Sequence, residues 1–237
     1  MTDVHTHILP CVDDGSPSLE ISLAMLKKEI ENGADKIILT PHLRGDFKKP
    51  ISGIVAAFDR FRSEAEAAGL SAKLYLGQEL YYDADLLSKL KNGDALTLAD
   101  SRYVLLELPF REGTDATEVV YKFIREGFIP VIAHIERYPY ISLDDAYDIS
   151  EMGGLIQINA DSLCEKSLGF MHKTAIRFFK EGLADLVASD IHSFRKNDFA
   201  RAYSFVKKKF GARVAEKVFV ANAEKILNDG RNNQNDK

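Results

Sequence analysis

Two histidines near the start of the chain, His5 and His7, are separated by one residue within residues 2–9, an apolar and β-branched stretch typical of a strand. Side chains alternate between the faces of a strand, so both imidazoles leave on the same face and can bind one metal ion. Asp14, in the loop that follows, can join them. The pair alone is weak evidence, because hydrogen bonds within a sheet satisfy such histidines equally well.

Short apolar runs of strand type alternate with amphipathic stretches that end at glycines. The predicted strands cover residues 2–9, 36–40, 72–76, 103–108, 129–133, 155–159 and 184–189. The first predicted helix has Ser16 as its N-cap and Pro17 as its first residue, and it ends at Gly33. Further helices are predicted over 51–68, 114–126, 174–181, 199–210 and 213–228, and one more ends at Gly153-Gly154. The alternation predicts parallel βαβ units, closed as a barrel of the TIM type with seven strands or, alternatively, laid out as a doubly wound open sheet.

The bulk properties narrow the class of protein. The net charge of −5 argues against a general nucleic-acid binder, which needs clustered lysines and arginines. No signal peptide and no apolar run of membrane-spanning length is visible in the sequence, so we expect a cytoplasmic protein. We expect one barrel domain over residues 1–228 and a disordered polar tail over 229–237.

Nearly all histidines fall at the ends of predicted strands, together with several carboxylates. These residues are His5, His7, His42, Glu79, Glu107, His134, Asp190 and His192. Active sites of parallel barrels lie at the carboxyl ends of the strands, so this set predicts one site on one rim. The remaining histidine, His172, falls in a helical stretch and is expected at the surface.

Imidazoles and carboxylates without thiolates suit divalent zinc, manganese or iron. With Asp14, the set is too large for one ion and is sufficient for three, which leaves positions for water and substrate. Asp14, Glu79, Glu107 and Asp190 supply four negative charges against six positive charges on three ions. The surplus of two suits a doubly charged phosphate monoester.

The same residues resemble the polymerase-and-histidinol-phosphatase (PHP) superfamily. The motifs His5-x-His7, Pro41-His42, Glu79, His134 and Asp190-x-His192 carry this resemblance. More narrowly, the chain is similar to the bacterial metal-dependent protein-tyrosine phosphatases of capsule and exopolysaccharide synthesis, in Asp13-Asp14-Gly15, Gly77-x-Glu79-x-x-Tyr82, Ser101-Arg102-Tyr103, residues 131–138 and Ala188-Ser189-Asp190-x-His192. The resemblance extends from Thr2 to about Leu227 and implies a distorted seven-stranded (βα) barrel.

The resemblance also implies roles for single residues. It implies one ion held by His5, His7, Glu79 and Asp190, a second held by Glu79, Glu107 and His134, and a third held by Asp14, His42 and His192. Manganese is the expected metal, with iron or zinc as alternatives, and a hydroxide held between two ions is the expected nucleophile. Arg137 would contact the substrate phosphate. The implied substrate is a phosphotyrosyl protein, such as a bacterial tyrosine kinase of polysaccharide assembly.

Other residues have two interpretations. Arg137 could pair with a rim carboxylate such as Glu136 instead of the phosphate. Arg44 and Arg195 follow His42 and His192, where a loop could present them to substrate, but a solvated loop charge is the preferred interpretation of each. Tyr81, Tyr82, Tyr138 and Tyr140 could line a phosphotyrosine pocket or pack in the core. His42 and a metal-bound water are the candidate general acids, and Asp13 is expected to be a turn residue.

The sequence also bears on other classes of phosphate-hydrolysing enzyme. Neither Cys11 nor Cys164 has an arginine six positions later, as a cysteine phosphatase loop needs, so both are expected to be buried packing residues. No GxxxxGK[ST] motif occurs. A small-molecule phosphatase of the histidinol-phosphate type and a non-catalytic metal-binding module of the same superfamily stay open as alternatives.

Overall fold

The computed structural model describes residues 1–110, 114–164 and 169–235. Within these ranges the chain forms strands β1 (Thr2–Thr6), β2 (Lys36–Leu39), β3 (His42–Leu43), β4 (Lys73–Leu76), β5 (Glu79–Tyr81), β6 (Tyr103–Glu107), β7 (Ile129–Ile132), β8 (Leu155–Asn159) and β9 (Leu186–Ala188). Every predicted strand is present. The second and third predicted strands continue past short interruptions, at Thr40-Pro41 and Gly77-Gln78, as β3 and β5.

All strand pairs are parallel, and together they close a ring. One sheet has the order β1-β2-β4 and the other β3-β5-β6-β7-β8-β9. Gly77 N donates to Leu39 O over 2.9 Å and Glu79 N to Pro41 O over 3.2 Å, which join the two sheets across the interruptions. Asp190 N donates to His5 O over 2.9 Å, which closes the ring from the end of β9 to β1. The predicted seven-stranded barrel is confirmed, and the open sheet is excluded.

Helices cover the outside of the barrel. They are α1 (Leu19–Glu31), α2 (Ile51–Ala67), α3 (Leu86–Asn92), α4 (Ala116–Arg125), α5 (Leu143–Glu151), α6 (Ala160–Cys164), α7 (Phe170–Lys180), α8 (Phe199–Phe210), α9 (Ala212–Glu216) and α10 (Asn222–Asn235). The first helix begins later than predicted, because Ser18 is its N-cap and accepts a hydrogen bond from Ile21 N over 3.2 Å. Within the described residues, no helix combines the length and the apolar character needed to cross a membrane.

The end of the chain differs from the prediction of a disordered tail from residue 229. Helix α10 continues to Asn235, and residues 236 and 237 lie outside the described part. Asp229 holds this segment by accepting hydrogen bonds from the backbone and guanidinium of Arg102. Gly230 lies so close to Ala99 that a Cβ atom there would be 2.0 Å from the Ala99 carbonyl oxygen. Local polarity did not reveal these long-range contacts.

A bulge in β1 lets this strand contribute side chains both to the barrel core and to the site at its carboxyl end. Between Asp3 and Thr6 the register against β2 shifts, so Val4 and His5 together oppose Ile38. Val4 packs in a buried cluster with Ile38 and Leu105 that α10 closes through Ile226. A bulge re-aims the side chains that follow it. Val4 therefore fills the barrel while His5 and His7 still reach the same site.

Candidate metal centre

Four buried donors converge at the carboxyl end of the barrel. The Nε2 atoms of His5 and His7 lie 3.1 Å apart. Each lies 3.3 Å from Glu79 Oε2, and they lie 3.6 and 3.5 Å from Asp190 Oδ1. The side chains of all four are at most 3% exposed. We refer to His5, His7, Glu79 and Asp190 as the floor of the site.

The partners of the two imidazoles fix which nitrogen carries the proton. His5 Nδ1 contacts Gln157 Oε1 at 3.1 Å, and His7 Nδ1 contacts the Asp13 carboxylate at 2.8 Å. Both partners are acceptors, so each Nδ1 donates and each neutral ring turns the lone pair of its Nε2 inward. Two such lone pairs 3.1 Å apart repel each other unless a proton or a metal ion lies between them. The floor therefore fits a metal ion, and the hydrogen-bonded orientation of each ring is typical of metal-ligating histidines.

A relay of amides behind the floor supports this assignment. His134 N donates to Gln157 Oε1 over 3.0 Å, which identifies that atom as the oxygen. Gln157 Nε2 then donates to Asn159 Oδ1, and Asn159 Nδ2 donates to Asp190 Oδ2, each over 2.8 Å. Gln157 and Asn159 are buried on β8, two residues apart. Two amide side chains two residues apart in an otherwise apolar strand are the sequence signal for this relay.

A second group of donors adjoins the floor. His42 Nδ1 lies 2.8 Å from Glu79 Oε2 and 4.0 Å from Glu107 Oε2, while His134 Nε2 lies 2.9 Å from Glu79 Oε1. Although they lie 2.8 Å apart, His42 Nδ1 and Glu79 Oε2 are not aligned for a hydrogen bond, and among the described residues neither buried atom has another hydrogen-bond partner. Buried polar atoms without a partner are rare and call for a ligand. Here the donor set fits a divalent cation.

A third group lies nearer to solvent. His42 Nε2 and His192 Nε2 each lie 3.6 Å from Asp14 Oδ1. His192 Nδ1 donates to Asp190 O over 3.0 Å, so its Nε2 faces Asp14 with a lone pair. The ring of His7 lies between those of His42 and His192, at centroid distances of 4.3 and 4.2 Å. The structure thus brings all nine predicted ligands together, and His172 lies elsewhere, with its Nδ1 at Ser162 O.

The backbone at the site adopts conformations that bring these donors together. His134 and Asp190 have φ angles of 35° and 49°, in the left-handed region that non-glycine residues rarely adopt. Such strain persists where surrounding contacts over-determine it, and it is concentrated at functional sites. Gly15 meets the back of His7 so closely that a Cβ atom would lie 2.1 Å from His7 O. Only glycine allows the Asp14 loop to approach here.

Burial and neighbouring charges shift the pKa values of these groups. Burial lowers the pKa of His134 and of His192 to about 4, so both rings are neutral and available as ligands near pH 7. Burial opposes ionisation of Glu79, but the positive charges that His5 and His42 carry when protonated outweigh it and hold its pKa well below the usual range. Burial and the charge of Glu79 raise the pKa of Glu107.

Three arginines surround the donors. Arg137 Nη2 lies 3.1 Å from Asp190 Oδ2, and Arg195 Nη1 donates to the same oxygen over 2.6 Å. Arg44 Nη1 donates to both oxygens of Glu107, over 3.2 and 3.3 Å. Their side chains are 19, 30 and 33% exposed. All three guanidinium groups therefore lie beside the donors and remain partly open to solvent.

Some predicted roles do not fit the structure. Tyr138 is 1% exposed, and its hydroxyl accepts a hydrogen bond from Leu108 N and contacts His134 Nδ1, so it positions His134 and cannot contact a substrate directly. Cys11 is exposed and Cys164 half-buried, so the prediction that both are buried is wrong. Asp13 is more than a turn residue, because it binds both His7 Nδ1 and His42 N.

Comparison with known proteins agrees with this geometry. A family model for capsular polysaccharide synthesis, CpsB/CapC, matches residues 1–228. The chain belongs to the CpsB/CapC family. The tyrosine-protein phosphatase CpsB of Streptococcus pneumoniae is 36% identical over 242 residues, 97% of this chain and 99% of that protein. This confirms the predicted resemblance.

Solved structures support the family and the fold. A chain from the crystal structures of YwqE from Bacillus subtilis and CpsB from Streptococcus pneumoniae, described as unique metal-dependent tyrosine phosphatases, matches with a TM-score of 0.90 and 29% identity. The match covers 97% of this chain and 95% of that chain. A lactonase from Listeria monocytogenes matches with a TM-score of 0.60 at 12% identity, over 95 and 94% of the two chains, which shows a shared fold alone. The CpsB/CapC chain thus has the barrel predicted from its sequence.

Proposed function

We propose that this CpsB/CapC protein is a metal-dependent protein-tyrosine phosphatase that acts in capsular polysaccharide synthesis. The observation that carries the proposal is the floor, where two imidazole lone pairs and two carboxylates converge on one point. The tyrosine-protein phosphatases with which the chain aligns over nearly its full length support the same activity. A non-catalytic module is less consistent with a complete set of donors.

The proposed metal ligands form three groups, of which the first two share Glu79. They are His5, His7, Glu79 and Asp190 for the first ion, Glu79, Glu107 and His134 for the second, and Asp14, His42 and His192 for the third. Bound divalent cations would supply a nucleophile at neutral pH by lowering the pKa of water, and would neutralise phosphoryl oxygens. Manganese stays the proposed metal and iron or zinc the alternatives, since nitrogen and carboxylate oxygen donors without sulfur suit all three.

In this proposal the three arginines bind the phosphate of the substrate. Arg137 and Arg195 both contact Asp190 Oδ2, so a phosphoryl group beside the floor lies within reach of two planar forks of donors. Arg44 would assist from the opposite loop, where it contacts Glu107. These residues neutralise and orient a dianion.

His42 acts as a ligand in this proposal, and its role as general acid is not retained. Its Nδ1 lies 2.8 Å from Glu79 Oε2 and its Nε2 lies 3.6 Å from Asp14 Oδ1. Neither nitrogen is left to pass a proton to a leaving group. A tyrosyl oxygen, with a pKa near 10, needs less help to depart than a serine alkoxide.

The proposed substrate is the phosphotyrosyl form of a bacterial tyrosine kinase of polysaccharide assembly. The family description, which names capsular polysaccharide synthesis, supports this process. A cytoplasmic site of action belongs to the same proposal, because the kinase draws its ATP from the cytoplasm.

A single assay series tests the activity. The protein is incubated with a phosphotyrosyl peptide, histidinol phosphate or a phosphoseryl peptide, and its metal content is measured before and after chelation. We expect release of phosphate from the phosphotyrosyl peptide in preference to the other two, loss of activity with the chelated metal, and recovery on adding Mn²⁺. Preference for histidinol phosphate would favour the small-molecule alternative. Activity that survives chelation but is lost on thiol alkylation would contradict the proposal.

A further inference from the structure

Three phenylalanines lie against three different histidines of the metal centre. Phe47 stacks on His42 with ring centroids 6.0 Å apart and planes inclined by 18°. Phe110 stacks on His134 at 6.1 Å and 20°. Phe194 lies over His192 at 5.2 Å and 46°. We refer to Phe47, Phe110 and Phe194 as the aromatic collar.

Each collar residue comes from a different loop at the carboxyl end of the barrel. Phe47 follows β3, Phe110 follows β6 and Phe194 follows β9, at two to five residues beyond a proposed ligand. Three separate loops place an aromatic ring beside the same centre. This recurrence cannot come from the packing of one loop.

Two collar residues are open to solvent. Phe194 is 70% exposed and Phe110 is 46% exposed. Among the described residues, one further phenylalanine, Phe170 on α7, is exposed to a similar degree, at 55%. Exposed apolar side chains gathered at one place indicate a binding surface. Phe170 provides an isolated counterpart for comparison.

We propose that the aromatic collar binds the aryl ring of the substrate and selects aryl phosphates over alkyl phosphates. This rests on the proposed phosphatase function and names the part of the substrate that the chain recognises beyond the phosphate. A phosphoryl group at the floor must leave its ester substituent among the loops above the donors, where the collar lies. Aromatic rings prefer offset-stacked or edge-to-face contacts, which these phenylalanines can offer to a tyrosyl ring.

Phe194 also lies beside Arg195, which we propose as a contact of the substrate phosphate. The guanidinium carbon of Arg195 lies 5.6 Å from the Phe194 ring centroid, within the range of a cation–π interaction. Arg195 itself reaches Asp190. One loop therefore presents a cation for the phosphate and a ring for the aryl group side by side. Of the tyrosines considered for a phosphotyrosine pocket, Tyr138 is buried beneath Phe110 at a centroid distance of 5.4 Å, so the exposed ring at this position is that of Phe110.

A binding measurement tests the collar without relying on turnover. The affinity of the manganese-loaded protein is measured by calorimetry for phenylphosphonate and for methylphosphonate, which carry the same phosphonate head and differ in the aryl ring. The variants are Phe110→Ala, Phe194→Ala, the double variant and Phe110→Leu, with Phe170→Ala as the matched control. The metal content and the thermal midpoint of each variant are recorded.

We expect the original protein to bind phenylphosphonate more tightly than methylphosphonate. Each alanine substitution should reduce this preference about threefold, and the double variant roughly tenfold, as expected for the loss of one or two aromatic contacts. Phe110→Leu should retain part of the preference, and Phe170→Ala all of it. The preference of kcat/KM for a phosphotyrosyl over a phosphoseryl peptide should fall in parallel.

Two results would overturn the collar. An unchanged ratio of the two affinities in the double variant would show that the rings do not contact the aryl group. Equal weakening of both phosphonates, with loss of metal, would show that the rings only position His134 and His192. Failure of the proposed function looks different, because the original protein would then leave the phosphotyrosyl peptide intact, whatever its phosphonate affinities.

Discussion

The floor of the site and its mouth are built in opposite ways. Floor residues are almost fully buried, and each contacts a buried side chain, as His5 contacts Gln157 and Asp190 contacts Asn159. The mouth is formed by Arg44, Arg137, Arg195 and the aromatic collar. Arg195 is 30% exposed and Phe194 70% exposed, and both come from a loop. Ligand geometry is thus set by the rigid barrel, while substrate contacts lie on segments that can vary.

The difference suggests a division of labour. Preorganised donors contribute most where charge must be stabilised, because they need not rearrange during the reaction. Loop residues are less constrained and tolerate substitution better. Substitutions in the floor should therefore remove activity and metal together, whereas those in the mouth should change substrate affinity and leave the metal in place.

The largest effect is expected from Asp190→Asn. The substitution keeps the shape of the side chain but removes the charge that His5 and His7 face at 3.6 and 3.5 Å. We expect kcat/KM for a phosphotyrosyl peptide to fall by roughly a thousandfold or more, with loss of bound metal. The exposed Asp59 on α2 serves as a control, since Asp59→Asn should change neither quantity. Near-normal turnover in Asp190→Asn would contradict its place in the floor.

A smaller effect is expected from Asp13→Asn, which changes a partner of the proposed ligands and not a ligand itself. Asp13 accepts from His7 Nδ1 and from His42 N, so it orients two proposed ligands without facing the centre. Loss of such a supporting carboxylate weakens metal affinity by roughly tenfold to a hundredfold. Competition with a chelator of known affinity measures this change. Unaltered metal affinity would mean that the barrel backbone alone fixes the rings.

Substitution of the arginines at the mouth should weaken phosphate binding and leave the metal in place. Arg137→Lys and Arg195→Lys keep the charge but lose the planar fork, so inhibition by inorganic phosphate should weaken about tenfold while metal content stays constant. Inhibition constants and metal analysis on the same preparations make the comparison. If either variant loses metal instead, its arginine supports Asp190 rather than the phosphate.

The sequence predicted the barrel and the grouping of donors because strand ends in a parallel barrel share one rim, so residues far apart in sequence meet there. It failed where long-range contacts decide. Tyr138 lies in a motif beside Arg137, and nothing local shows that one points into the core while the other stays partly exposed. The bulge at Val4–His5 depends on pairing with Ile38, which no single stretch encodes.

The smallest predicted effect lies behind the floor, on the outer side of β1. Glu29 on α1 is fully buried, accepts a hydrogen bond from Asn197, and has one carboxylate oxygen without a hydrogen-bond partner among the described residues. Burial, and then the charge of Asp3, raise its pKa well above the usual value. Burial also raises the pKa of Asp3, to about 6. The carboxyl groups of Glu29 and Asp3, behind the floor, therefore resist ionisation.

The sign of the pH effect follows from these shifts. The folded state binds the Glu29 proton more tightly than the unfolded state, so stability falls as the pH rises from the unfolded pKa of about 4.5 toward the raised folded pKa. Glutamine does not titrate, so Glu29→Gln should gain stability relative to the original protein as pH rises. We expect the thermal midpoint to rise by about 2–4 °C at pH 8, as for roughly 1 kcal/mol, and by less at pH 5. A gain that is equal at both pH values would show that ionisation of Glu29 does not affect stability. A loss at pH 8 would show that neighbouring groups compensate a charge on Glu29.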